Sequence, residues 1–194
     1  MTNPQGLWVL VCGASGAGKD SVIAWAAQHL ELRDDIVFAR RMVTRAPHPG
    51  SDHDVVTPSD FAALAASHAL AWQWEAHGFQ YGINAHYAND VAAGRTVVVN
   101  GSRAHAAAVA PSAHVRVVQI VADATLLASR MAQRGRDAPE DVARRLARNA
   151  RLPDLQGDCT ILNHGELAQA GRQLADYLTR ETRPTPRRTC ADSY

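Results

Sequence analysis

Leu7-Trp8-Val9-Leu10-Val11-Cys12-Gly13-Ala14-Ser15-Gly16-Ala17-Gly18-Lys19-Asp20-Ser21 is the stretch on which the reading of this chain turns. Its apolar run from Leu7 to Cys12 is unbroken, as a strand covered on both faces of a parallel sheet requires. Gly13 to Lys19 then match G-x-x-x-x-G-K. Beyond them, Val22, Ile23, Ala26, Ala27 and Leu30 recur at helical spacing through Leu32. Strand, glycine loop and helix in that order predict a phosphate cradle. Glycines let the backbone close in and point its N–H groups at the anion, and the helix N-terminus adds favourable dipole. Gly13, Ala14, Ser15, Gly16, Ala17 and Gly18 are therefore the expected nucleotide-binding residues, with Lys19 reaching the β- and γ-phosphates as the catalytic cation. The hydroxyl residue that usually follows the lysine is replaced by Asp20, with Ser21 next. Either Ser21 or Asp20 is the expected Mg²⁺ ligand, since magnesium favours hard oxygen donors, and the sequence leaves both open.

Outward from this stretch, further elements alternate. Ile36 to Val43 suits a second strand, broken by Pro47, Pro49 and Gly50. Ser59-Asp60 suits the cap of a helix running to Ala69, and the aromatic segment Leu70 to Tyr81, interrupted at His77-Gly78, suits a hairpin. A short helix from Asn84 to Ala93 precedes two β-branched runs, Thr96 to Val99 and Val115 to Val121. Ala124 to Gln133 and Pro139 to Arg151 read as arginine-laden helices, Thr160 to Leu162 as a last strand and Glu166 to Thr179 as a closing helix. Alternating strands and helices predict an α/β three-layer sandwich with a mostly parallel sheet. A single domain is expected over residues 1–180, with insertions at about 38–92 and 131–150 and a flexible tail at 181–194.

Composition sets the outer limits. The 194 residues are 46% hydrophobic and 20% charged, which is ordinary for a soluble globular chain. Twenty basic and 19 acidic side chains leave a net charge of +1, so there is no general attraction to nucleic acid or to an anionic membrane. Cys12, Cys159 and Cys190 lie far apart, which excludes a disulfide framework and fits a reducing compartment. No transmembrane run or signal peptide is legible, so a cytoplasmic protein is expected, and oligomeric state is unreadable.

Two basic clusters stand out. Arg40, Arg41, Thr44, Arg45 and His48 follow the second strand; Arg130, Arg134, Arg136, Arg144, Arg145 and Arg148 crowd the later helices. Guanidinium forks match pairs of phosphate oxygens. Asp137, Glu140 and Asp141 account for some of the second cluster as helix ion pairs, but not for all six arginines. Trp72 and Trp74 alternate with Gln73 and Glu75, which puts the two indoles on one face of a strand. The histidines are scattered and form no metal-binding pattern.

These pieces together resemble the guanylate-kinase fold group of P-loop kinases over about residues 6–180. The resemblance is carried by Gly13 to Ser21, Thr44-Arg45 with Pro49-Gly50, Glu75 to Gly78 with Tyr81-Gly82, Arg134-Gly135-Arg136, Arg144-Arg145-Leu146 and Ile161-Leu162-Asn163. It implies an acceptor-binding subdomain from Arg41 to about Ala92, using Arg41, Arg45, Glu75 and Tyr81. It also implies Asn163 at the nucleotide and a lid whose Arg134 and Arg145 are catalytic, closing over ATP to exclude water.

The chain departs from guanylate kinases in that His48 replaces an arginine, Ile83-Asn84 replace two hydroxyl residues, and Asn100-Gly101-Ser102 replace an aspartate-bearing strand end. Val97 to Asn100 followed by Gly101-Ser102-Arg103-Ala104-His105, together with Gly18-Lys19-Asp20-Ser21 and with Arg134-Gly135-Arg136 followed by Ala143 to Arg148, is similar instead to the ribose 1,5-bisphosphate phosphokinases of phosphonate breakdown. That resemblance implies ATP and Mg²⁺ as cofactors and a sugar bisphosphate as acceptor, with Asn100, Ser102 and Arg103 added to the acceptor residues. It also implies small-molecule substrates only, with no nucleic-acid or membrane partner. A guanylate kinase, supported by Glu75 and Tyr81, is the alternative enzyme. A non-catalytic module of the same fold is the third reading, and the intact Gly18-Lys19 opposes it.

Overall fold

The computed structural model describes residues 6–14, 16–46, 52–76, 78–109, 112–123, 126 and 157–181. Arg130, Arg134, Arg136, Arg144, Arg145 and Arg148 of the expected lid lie outside them, as do Ser15, His48, His77 and the tail.

The strand before the phosphate loop, β1 (Trp8–Gly13), is the centre of the molecule. β2 (Ile36–Phe38), β7 (Thr96–Asn100), β8 (Val115–Val121) and β9 (Cys159–Leu162) join it in a parallel sheet ordered β2-β7-β1-β8-β9. β1 is paired on both edges, with Val9 beside Val98 and Arg116. Its alternate residues therefore feed two cores. Val9 and Val11 pack with Val22 and Ala26 of α1 (Lys19–His29) and with Leu174 and Leu178 of α5 (Leu167–Glu181). Leu10 and Cys12 face the other way, toward Val97, Val99, Ile83 and Ala106. The two helices on the first face touch closely because Gly171 has no side chain: a Cβ there would stand 2.3 Å from the Trp25 ring.

A second, four-stranded sheet has the order β4-β3-β6-β5. Its members are β3 (Arg41–Val43), β4 (His53–Val55), β5 (Leu70–Ala76) and β6 (Phe79–Asn84). Here the structure corrects the expected elements. Ile36 to Val43 is two strands in two sheets. Ala39 still donates to Val98 of the parallel sheet (2.9 Å), and at Arg40, whose amide donates to the Tyr87 hydroxyl (3.1 Å), the chain leaves it. Arg40 is fastened at this crossing to Asp52 (2.5 Å) and Asp54 (2.9 Å). β4, read from the sequence as loop, pairs in parallel with β3.

The small helices differ in their ends. α2 (Pro58–Ala66) is capped by Thr57, whose hydroxyl accepts from the Asp60 amide (3.1 Å), rather than by Ser59 or Asp60, and proline at its first position needs no amide partner. α3 spans Tyr87–Ala92, shorter than expected. α4 (Arg103–Ala108) was not expected at all; the Ser102 hydroxyl caps it by accepting from the His105 amide (3.0 Å). Among the described residues no helix is long and apolar enough to cross a membrane.

Candidate active site

The phosphate loop runs from the end of β1 into α1. Gly16 and Gly18 take φ of 85° and 84°, the left-handed region that side-chain-bearing residues resist, and this is what curls the loop. Gly18 is also the N-cap of α1 and offers no side-chain acceptor, so the first-turn amides are left for an anion. Lys19 folds back over the loop, its Nζ donating to the carbonyls of Gly13 (3.3 Å) and Ala14 (3.4 Å). Burial lowers the Lys19 pKa from its ordinary value, Asp20 opposes that shift, and Arg41 and Arg103 add to it. Burial likewise pushes the Cys12 thiol beneath the loop up to about 11, so it stays neutral.

Behind the loop, Asn163 at the end of β9 donates through Nδ2 to the Ala17 carbonyl (2.7 Å). Its Oδ1 is buried with no hydrogen-bond partner among the described residues. The sequence assigned Asn163 to the nucleotide; the structure sets it against the loop that would hold the nucleotide.

In front of the loop, Asp20 gathers residues from three elements. Its Oδ1 accepts from Nη2 of Arg41 on β3 (3.2 Å) and from Nδ2 of Asn100 at the end of β7. Arg103, the first residue of α4, is buried close enough to Lys19 to perturb it. Residues separated by 21 and 80 positions thus meet at one carboxylate. The sequence named each of them and gave no sign of the meeting.

Strand register decides which of the expected acceptor residues share a face. Tyr81 pairs with Trp74, and Arg41 with Ile83, so Arg41, Tyr81, Trp72 and Trp74 share one face of the second sheet. That is the face turned toward Asp20. Arg45 lies on it too, with its guanidinium 5.8 Å over the Phe79 ring and its Nε buried without a partner among the described residues. Glu75 pairs with Gln80 on the opposite face and is exposed. Glu75 and Tyr81, both expected at the acceptor, therefore occupy opposite faces, because a strand turns neighbouring positions to opposite sides. Ser102 is engaged as the α4 cap.

The sequence also missed an aromatic row. Trp74 stacks on Tyr81 (centroids 5.5 Å, 9°) and on His105 (4.6 Å, 26°), and Trp72 leans on Trp8 at 4.7 Å. Burial lowers the His105 pKa, which keeps the ring neutral between the indoles. The Trp-x-Trp alternation was the available signal; its partner on α4 was not.

The donor set fits magnesium of the transient kind. Asp20 and Ser21 place hard oxygens in the first turn of α1, and no group of three or more His, Cys, Asp or Glu residues able to cage an ion exists among the described residues. Magnesium suits that arrangement, since it keeps water and phosphate ligands and needs few from the protein.

A ribose 1,5-bisphosphate phosphokinase (PhnN) of Burkholderia pseudomallei is 42% identical over 173 residues, covering 88% of this chain and 94% of its own. The chain belongs to the ribose 1,5-bisphosphate phosphokinase family. A second member, from Acidiphilium cryptum, is 40% identical across 91% of this chain and 94% of its own. Residues 8–153 of this phosphokinase also match the AAA domain family. Guanylate kinase from Anaplasma phagocytophilum superposes with a TM-score of 0.68 over 95% of this chain and 90% of its own, at 18% sequence identity. That likeness establishes a guanylate-kinase-like P-loop fold for the phosphokinase and no more.

Proposed function

We propose that this enzyme transfers the γ-phosphoryl group of ATP to the 1-phosphate of ribose 1,5-bisphosphate, releasing ADP and 5-phosphoribosyl 1-diphosphate. The observation that carries the reading is the meeting of Lys19, Asp20, Arg41 and Asn100, which sets a phosphate loop against an arginine-bearing acceptor sheet. In a chain of this family, that juxtaposition supports a phosphate acceptor rather than a hydroxyl one.

The nucleophile is an oxygen of the 1-phosphate. It bonds to the γ-phosphorus as the bond from that phosphorus to the β,γ-bridging oxygen breaks, and ADP leaves. The attacking oxygen is already anionic near neutral pH, so no general base is needed, and positioning with charge neutralisation suffices. Lys19 would follow the charge on the β- and γ-phosphates. Arg41 and Arg45 are suited to the near phosphate of the acceptor, Arg103 to the other end. Tyr81 would line the sugar. Asp20 and Ser21 would hold magnesium, which would supply charge neutralisation at the nucleotide phosphates. Arg134 and Arg145 are assigned to a lid by family resemblance and would exclude water from the closed site.

Glu75 and Tyr81 were the residues that supported the guanylate alternative. They lie on opposite faces of β5 and β6, which favours the sugar bisphosphate reading. The test is ADP release from ATP and magnesium with ribose 1,5-bisphosphate in one vessel and GMP in another. Turnover with the sugar bisphosphate alone is expected; turnover with GMP alone would overturn the proposal.

A further inference from the structure

One cation of the site already holds an anion. Arg41 belongs to the acceptor sheet, its side chain is only 14% exposed, and the anion it holds is the 47%-exposed carboxylate of Asp20 on the phosphate loop's own helix. The grip is loose. Arg41 reaches Asp20 through Nη2 at 3.2 Å, whereas Arg33 clasps Asp35 with two nitrogens at 2.8 and 2.6 Å. Charge-assisted bonds normally close to about 2.7–2.9 Å, and a phosphate offers arginine two oxygens at once. Asn100 steadies the same carboxylate oxygen from β7, so Asp20 is held at the junction of loop, acceptor sheet and central strand. Lys19 and Arg103 add positive charge around it. A carboxylate in that position does electrostatically what a bound phosphate would do: it lets several cations share a small volume.

We propose that Asp20 is a positioning residue that occupies Arg41 as an internal stand-in for phosphate and gives it up when its carboxylate turns to the magnesium of a bound nucleotide. This rests on the reading above that nucleotide sits on the phosphate loop and an acceptor phosphate on Arg41. Asp20 follows Lys19 directly, at the place where a phosphate loop offers its metal ligand, so one carboxylate has two suitors. With magnesium nucleotide bound, Arg41 is released to the acceptor; without it, the acceptor must displace Asp20. Nucleotide and sugar phosphate are thereby coupled through one side chain, in either direction and by the same factor.

Calorimetry on the full-length protein tests this with ribose 1,5-bisphosphate as titrant, alone, with ADP and magnesium, and with ADP in EDTA. Wild-type affinity is expected to rise roughly tenfold with magnesium and ADP together, and not with ADP in EDTA. In Asp20→Asn, which keeps shape but not charge, affinity without nucleotide should rise toward the coupled value and then stop responding to it. Asp20→Ala should behave likewise. If wild-type affinity ignores magnesium and nucleotide, or if Asp20→Asn weakens acceptor binding equally in all three conditions, Asp20 is a fixed strut and the proposal fails. Wild-type turnover assayed in parallel separates the two readings. Turnover without coupling sinks this proposal alone, whereas a wild type that neither binds nor phosphorylates the sugar bisphosphate sinks the functional reading beneath it.

Discussion

Asn163 donates to the Ala17 carbonyl at 2.7 Å, so the last strand of the parallel sheet braces the phosphate loop from behind. The bond is fully buried, and the Asn163 amide also donates to Val121 (2.7 Å), which fixes the residue that does the bracing. Leaving a buried carbonyl unpaired costs about 1–3 kcal/mol. Asn163→Ala should therefore weaken ADP binding by roughly tenfold, read by calorimetry. Unchanged affinity would mean that the loop holds its shape unaided.

Lys19 is charged at the cost of burial, which lowers its pKa. Lys19→Met removes both the charge and its desolvation. Turnover should fall by about 10²–10³ or more, the usual loss when a transition-state charge partner is deleted. Thermal stability should change little, because the bonds lost to the Gly13 and Ala14 carbonyls are offset by the desolvation cost that goes with the charge. A variant that lost activity by unfolding would show it in the melting curve.

His105 lies between Trp72 and Trp74, and burial depresses its pKa below the ordinary 6.5. The unfolded chain then binds a proton at a higher pH than the folded one. Stability is accordingly full above about pH 6.5 and declines as pH falls toward the folded value. His105→Phe, which keeps the stack and cannot titrate, should flatten the acid limb of a plot of melting temperature against pH. An unchanged slope would place the acid sensitivity elsewhere.

Gly171 tests the packing of α1 on α5. Alanine there would drive a methyl group into the Trp25 ring, and overpacking of this kind costs about 1–3 kcal/mol. Gly171→Ala should lower the melting temperature by several degrees. Gly165→Ala, whose added carbon meets nothing nearer than the Gln169 side chain at 3.7 Å, should leave it nearly unchanged.

The parts of this molecule legible in its sequence are those built from neighbours. Strand, loop and helix from Trp8 to His29 follow one another, so their period and their glycines declare them. β7 and β8 were equally plain, because buried strands in a parallel sheet are simply apolar. The break between Phe38 and Arg41 was hidden, since nothing local distinguishes one strand from two that enter different sheets. The face that Glu75 occupies was hidden for a related reason. Its own strand showed that it opposes Trp74, but only the pairing of Trp74 with Tyr81 reveals that it also opposes Tyr81. The capture of Arg41 and Asn100 by Asp20 is a contact across the fold, and residue types alone do not announce such meetings.

β2 and β7 are adjacent in the parallel sheet, Val37 beside Val97, yet the whole four-stranded sheet is spun out of the chain between them. The excursion departs from one strand and returns to its immediate neighbour, so the nucleotide scaffold closes whatever the intervening segment contains. Such an arrangement lets the inserted sheet vary as a replaceable cassette. A lineage is free to redraw that inserted surface while the strands around the phosphate loop keep their registration.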